Sequence, residues 1–354
     1  MTLTSRLIRR ATTAVAVTAV AALTLSACSS GSDSSSSEAS TDGFGDITVQ
    51  LSWIKNEEFA GEYFADSEGF YTDAGFGSVT LVPGPSTGAA ELISGSADVA
   101  LSDAVSIGSV VAGEGAPLKI IGTTFQKNPF TILSLADGGN IATPEDLKGK
   151  RIGVQDSNTP LFQALLSANG IDPSEVTVVP VQYDPAPLIN GEVDGFVAYL
   201  TNEAITVASQ GLTVTNLPFA ENGLPFVAET FTVTQDAIDN NREMLKAFLV
   251  AEIKGWSMAV NDPEAGARLA VENYGVDLGL NLENSIAGAT EQNTLIVSDE
   301  TVANGLFTIS DALQAATIES LAGAGITLEA SDLFDMSLLS EVYEENPDLV
   351  NYAA

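Results

Sequence analysis

The sequence predicts an α/β protein built of two α/β lobes joined by a two-strand hinge, with a ligand cleft between the lobes. Three observations carry this. From Asp46 onward, strand-like and helix-like segments alternate with short connections, the pattern of βα units. The alternation comes in two series, the second opening at "KGKRIGVQ". The chain beyond residue 45 is also longer than one hydrophobic core usually serves.

The elements follow in order. "DITVQLSW" sets Ile47, Val49, Leu51 and Trp53 on one face of a strand that ends at Trp53. Asn56 then caps a helix in which Phe59 and Tyr63, and Ala60 and Phe64, are i,i+4 neighbours. These aromatics read as helix-sheet core, with Phe70. Glu57 and Glu58 read as acids favoured by the helix dipole. "SVTLV", the turn "PGPSTG", an apolar helix through Ile93 and "ADVALS" continue the series, and "PLKIIGTTF" and "FTILSL" add strands. The second series runs through helix "TPLFQALLSANG", strand "EVTVVPV", a helix around "APLING", strand "VDGFVAYL", helix "NEAITVASQG" and strand "LTVTNL". After "FVAETFTVTQ" the chain turns mainly helical. Trp256, in "KGWSMAV", reads as core or hinge packing. The lengths place lobe 1 at 46–132 and 227–354 and lobe 2 at 133–226. A lobe inserted into another leaves two crossing strands, which make a hinge.

The first 45 residues read differently. Arg6, Arg9 and Arg10 precede an apolar run too short to span a membrane, so 1–27 reads as a secretion signal. Its end, Leu25-Ser26-Ala27-Cys28, resembles the lipobox of bacterial lipoproteins, in which Cys28 would carry the lipid. Cys28 is the only cysteine, which excludes a disulfide framework and a thiolate metal site. The serine-rich stretch 28–45 cannot bury a core and reads as a flexible tether. The predicted location is the outer face of a bacterial cytoplasmic membrane, reached through an N-terminal lipid.

Composition restricts the chemistry. With 13 Lys+Arg against 47 Asp+Glu the formal charge is −34, which repels nucleic acid and anionic membrane surfaces. The acidity also fits a solubility adaptation. There is no histidine, so Ser-His-Asp catalysis and the commonest zinc ligand are excluded. No EF-hand ladder and no Gly-x-Ser-x-Gly elbow occurs. A binding protein without metal or cofactor is the reading that remains, ahead of an enzyme.

The stretch "SWIKNEEFAGEYFADSEGFYTDAGF" resembles the N-terminal signature of solute-binding lipoproteins of the nitrate/sulfonate/taurine and thiamine-pyrimidine-precursor group of ABC importers. "LISGSADVAL", "TPEDLKGKRIGV", "LINGEVDGFVAYLTNE" and "KGWSMAVNDPEAG" extend the resemblance over nearly all of 46–275. It implies a type II periplasmic-binding-protein-like fold, a monomer that captures a small molecule, and a permease and ATPase as partners. "NEEFAG" before an aromatic helix is most similar to the branch for riboflavin or pyrimidine vitamin precursors. Sulfonate, taurine or nitrate is the alternative ligand. A thiamine-pyrimidine synthesis-like enzyme and a ligand-sensing receptor domain are alternatives of other classes. The enzyme of that fold uses a histidine, which this chain lacks.

In open α/β sheets ligands bind outside the carboxyl ends of the strands. Trp53 would stack on a planar heteroaromatic while Asn56 reads its edge. Ser86 and Thr87 either cap a helix or point hydroxyls and amides at the ligand; Asp103 either caps the next helix or does the same. Gln126 follows the strand before the crossover. The resemblance implies that Asn158 lies where the second lobe closes on the ligand. Asn202 and Glu203 end the strand "GFVAYL", where a carboxylate accepts N–H or O–H donors and repels nitrate or sulfonate. The resemblance also places an acidic residue near Glu203 in the vitamin branch. Tyr199 either stacks on the opposite ring face or is core.

Overall fold

A computed structural model describes residues 43–352; the leader, Cys28 and most of the tether lie outside the described residues. Among the described residues ten strands occur in chain order: β1 (Gly45–Gln50), β2 (Phe76–Val82), β3 (Val99–Asp103), β4 (Leu118–Phe125), β5 (Phe130–Leu135), β6 (Arg151–Val154), β7 (Thr177–Pro180), β8 (Gly195–Tyr199), β9 (Val214–Pro218) and β10 (Ala228–Thr234). They form two five-stranded sheets, β2-β1-β3-β10-β4 and β7-β6-β8-β5-β9. In the first, β1 pairs parallel with β2 and β3, while β10 runs antiparallel between β3 and β4. In the second, β6 pairs parallel with β7 and β8, while β5 runs antiparallel between β8 and β9. Each sheet thus has one antiparallel strand in its fourth place, and each such strand is the one that arrives from the other sheet.

The chain crosses between sheets twice, from Phe125 to Phe130 and from Pro218 to Ala228, so the whole of β5 lies in the second sheet. Asn128 ties the crossings together. Its backbone N–H donates to the Phe226 carbonyl at 2.9 Å and its side-chain amide donates to the Leu224 carbonyl at 2.7 Å. Its Oδ1 accepts from the Phe130 N–H. A buried amide with its partners on both segments fixes where a hinge can bend.

Local sequence explains the elements that position the cleft. Strand β1 stops at Gln50, earlier than its alternation predicts, and Trp53 sits in the loop beyond it. The reason is that Ser52 and Trp53 turn their carbonyls to the β2 side, accepting from Ser86 and Gly84 N–H groups at 3.0 and 2.7 Å. Helix Ala60–Ser67 buries Tyr63 and Phe64, while Phe59, just before it, is wholly buried. That helix packs on the 20-residue helix Arg242–Asn261 through glycines. A Cβ on Gly61 would lie 2.2 Å from the Trp256 ring, and one on Gly255 would lie 2.1 Å from the Gly61 carbonyl oxygen. Trp256 is accordingly buried core. Among the described residues no helix is long and apolar enough to cross a membrane.

Candidate functional site

The two sheets meet at a cleft of about 470 Å³, lined by residues at the carboxyl ends of the parallel strands and at the amino ends of the antiparallel β5 and β10. From the first sheet come Ser52 and Trp53 after β1, Ser86 and Thr87 after β2, and Ser102 and Asp103 at the end of β3 with Ser106. From the second come Phe130, Ser157, Asn158, Val197 to Tyr199, and Glu203. Glu229 completes it from β10. Three aromatic side chains, Trp53, Phe130 and Tyr199, and several hydroxyls in one lining suit a flat polar heterocycle. No lysine or arginine lines the cleft.

Seven residues predicted from sequence are brought together here: Trp53, Ser86, Thr87, Asp103, Asn158, Tyr199 and Glu203. Some also have local duties. Asp103 caps helix Ala104–Glu114, accepting from the Val105 and Ser106 N–H groups at 2.8 and 2.9 Å and from the Ser106 hydroxyl at 2.6 Å. Ser86 Oγ accepts from Gly88 N–H at 3.0 Å. Asn158 donates to Gln155 Oε1 at 2.9 Å. Tyr199 meets Phe130 edge-on, with ring centroids 4.6 Å apart, and its hydroxyl donates to Glu229 Oε1 at 3.0 Å.

Three predicted residues stand elsewhere. Asn56 is buried as an N-cap, its Oδ1 accepting from Glu58 N–H, because the turn at Glu57–Phe59 needs that acceptor more than the cleft does. Gln126 turns away and donates to the Thr308 carbonyl at 3.0 Å, fastening the crossover to the C-terminal helices. Asn202 precedes helix Glu203–Ser209 and its carbonyl accepts from Thr206 N–H, so it serves the helix start.

Glu57 and Glu58, read from sequence as acids favoured by the helix dipole, have a different environment. Both are buried, on a turn packed against the helix Leu282–Ile296. Gly288 of that helix makes room for the Glu57 carboxylate: an added Cβ would lie 2.5 Å from Glu57 Oε1. Burial raises Glu57 to about 7. Burial likewise raises Glu203 to about 7, opposed by the Tyr199 N–H that its carboxylate accepts at 2.8 Å, its own N–H and the neighbouring Trp53 indole.

Glu229 was not anticipated, and it is the most constrained residue of the site. It sits in the left-handed region at φ 49°, at a bulge between Ala228 and Thr230 where the pairing to β3 loses register. The bulge aims a carboxylate out of a central strand into the cleft. Both Ser52 Oγ to Glu229 oxygen distances are 3.0 Å. Burial raises Glu229 to about 7, opposed by hydrogen bonds from Glu58, Ser52 and Tyr199. Sequence held one signal: in "VAETFTVT" a lone charged residue interrupts a strand otherwise apolar or threonine-rich. Among the described residues no group of three or more metal-ligating side chains is placed to hold a metal ion.

Comparison with known proteins adds the following. A family model described as NMT1/THI5 like matches residues 56–266. The chain is 24% identical over 241 residues to the riboflavin-binding protein RibY of Chloroflexus aurantiacus, covering 64% of this chain and 66% of that protein. It is 32% identical over 152 residues to 4-amino-5-hydroxymethyl-2-methylpyrimidine phosphate synthase of Schizosaccharomyces pombe, covering 42% of this chain and 43% of that one. The crystal structure of the periplasmic nitrate-binding protein NrtA of Synechocystis PCC 6803 superposes with a TM-score of 0.63 at 16% identity, over 86% of this chain and 90% of that one. That last likeness establishes the fold: two lobes in the manner of the type II periplasmic binding proteins.

Proposed function

The chain belongs to the NMT1/THI5-like family, and from that premise we propose that it is the solute-binding component of an ABC importer. It captures a small heteroaromatic vitamin or precursor, of the riboflavin or thiamine-pyrimidine type, by closing two lobes over it, and passes it to a permease and its ATPase. Lobe 1 runs from 46 to the first crossing and resumes at β10; lobe 2 lies between the crossings. The leader 1–27 directs export, and lipid on Cys28 holds the protein outside the cytoplasmic membrane.

One observation carries the ligand class. Asp103, Glu203 and Glu229 line the cleft with no cation among them, so the cleft attracts N–H and O–H donors and repels nitrate and sulfonate. Trp53 supplies the stacking face. The likeness to the pyrimidine phosphate synthase covers less than half of that enzyme and brings no histidine with it, so binding is the reading we adopt. Tryptophan fluorescence tests this: riboflavin quenches the protein, the quench is lost in Trp53→Ala, and it persists in Trp256→Phe. Equal loss in both variants would undo the assignment of Trp53 to the cleft.

A further inference from the structure

Helix Leu282–Ile296 packs on both halves of the molecule: on β4 of the first sheet, and on helix Glu203–Ser209, which follows β8 of the second. Three hydrogen bonds fasten it to the first half and to the crossing. Gln292 Nε2 donates to the Glu57 carbonyl at 3.1 Å, Asn293 Nδ2 donates to the Val260 carbonyl at 2.9 Å, and the Leu295 carbonyl accepts from the Gln126 N–H at 2.8 Å. The second half meets this anchored helix at Gly288, where a Cβ would lie 2.6 Å from the Thr201 carbonyl oxygen. The turn that carries that carbonyl is stiff, because Thr201 is buried and the Tyr199 N–H closes the turn by donating to Glu203 Oε2 at 2.8 Å. Gly288 has no backbone reason to be glycine. It lies inside the helix without a positive φ, where glycine weakens a helix relative to alanine, so the reason lies in packing. Two atoms crowd the site. Glu57 Oε1, 2.5 Å from that Cβ, ends a side chain of the same half and can turn aside; the Thr201 carbonyl is backbone and retreats only if the second half swings with it.

We propose that helix Leu282–Ile296 is the stop on which the second lobe comes to rest when the cleft closes, and that Gly288 is a positioning residue: by admitting the Thr201 carbonyl it sets how near Tyr199 and Glu203 come to Trp53 and Glu229. This rests on the proposed function and adds to it the part that fixes the closed angle. Packed cores do not yield continuously, so a methyl group at this point moves the lobe rather than denting the helix. Gly288→Ala holds the Thr201 carbonyl off by about 0.8 Å, from 2.6 Å to ordinary contact at 3.4 Å. Gly288 stands about 10 Å along the helix from Leu295 at the crossing, so points of the second lobe farther from the crossing are displaced by more. Closure then stops short, and the two walls of the cleft no longer hold one ligand at the same time.

The test is the spacing between two spin labels, on cysteines introduced at exposed Ser94 in the first lobe and exposed Gln182 in the second, in the full chain carrying Cys28→Ser. Double electron–electron resonance reads it with and without saturating riboflavin or 4-amino-5-hydroxymethyl-2-methylpyrimidine. Ligand should shorten the spacing in the protein with native Gly288. Gly288→Ala should still bind, with a ligand-bound spacing longer by about 1 Å or more and release at least about threefold faster. The double variant Glu57→Ala, Gly288→Ala removes the movable neighbour and leaves the carbonyl, so it should keep the longer spacing. Gly61→Ala, which strains packing within the first lobe alone, should melt lower and keep the native spacing. Native spacing in ligand-bound Gly288→Ala, or its return in the double variant, would overturn the proposal, and so would unfolding of both Gly288 variants while Gly61→Ala folds. If ligand closes the native protein and Gly288→Ala alike, this inference falls while the importer reading stands; if neither compound binds and closes the native protein, both fall.

Discussion

Replacing Glu203 by glutamine should change how stability depends on pH. In the folded protein burial holds this carboxyl at about 7, against the ordinary 4.5. The folded state therefore binds more protons than the unfolded chain between those values. The stabilisation is complete below 4.5 and is lost as pH rises through 7. A difference of 2.5 pH units corresponds to about 3 kcal/mol, and because the side chain is buried, solvent screening removes little of it. Glutamine stays neutral at every pH, and its amide oxygen can still accept from the Tyr199 N–H. Urea unfolding of ligand-free wild type and Glu203→Gln at pH 5 and pH 8 reads the difference directly. The variant should gain about 3 kcal/mol on wild type between pH 5 and pH 8. Parallel behaviour of the two proteins would refute the buried, proton-holding environment assigned to Glu203.

Further outcomes follow from the same geometry. Glu229→Gly should relieve the left-handed backbone by about 1 kcal/mol or more while removing ligand binding, so that melting and binding move in opposite senses. Gly61→Ala forces a methyl into the Trp256 ring and should cost about 1–3 kcal/mol in denaturant melts, despite the better helix propensity of alanine. Asp103→Ala removes the cap of helix Ala104–Glu114 and should lower stability by about 1 kcal/mol in addition to weakening binding.

Much of this arrangement was legible in the residues. The βα alternation is written in two periodicities, and "GFVAYL" or "RIGVQ" reads as a buried strand without any tertiary information. Because ligands gather past the carboxyl ends of parallel strands, Trp53, Asp103 and Glu203 could be nominated from strand ends alone. What was not legible depends on partners distant in sequence. Glu229 reaches Ser52 across 177 residues of chain, by way of a returning antiparallel strand and a bulge that no local pattern encodes. Ser102 and Ser106 enter the cleft only because β3 lies beside that strand. Asn56 and Gln126 fail the other way: each sits past a strand end, yet a nearby N–H claims the first and the Thr308 carbonyl, 182 residues on, claims the second. Glu57 and Glu58 look like helix-dipole acids until the helix Leu282–Ile296, far along the sequence, covers them.

A cleft lined by Asp103, Glu203 and Glu229 and by no lysine or arginine should capture an uncharged or protonated heteroaromatic rather than an anion. Thermal melts of the purified protein against riboflavin, 4-amino-5-hydroxymethyl-2-methylpyrimidine, taurine, an aliphatic sulfonate and nitrate test this most directly. A ligand present at 100 times its Kd adds about 2.7 kcal/mol, a shift of several degrees. Riboflavin or 4-amino-5-hydroxymethyl-2-methylpyrimidine should raise the melting temperature, and nitrate, the aliphatic sulfonate and the zwitterionic sulfonate taurine should leave it unchanged; a rise with sulfonate, taurine or nitrate alone would contradict the account.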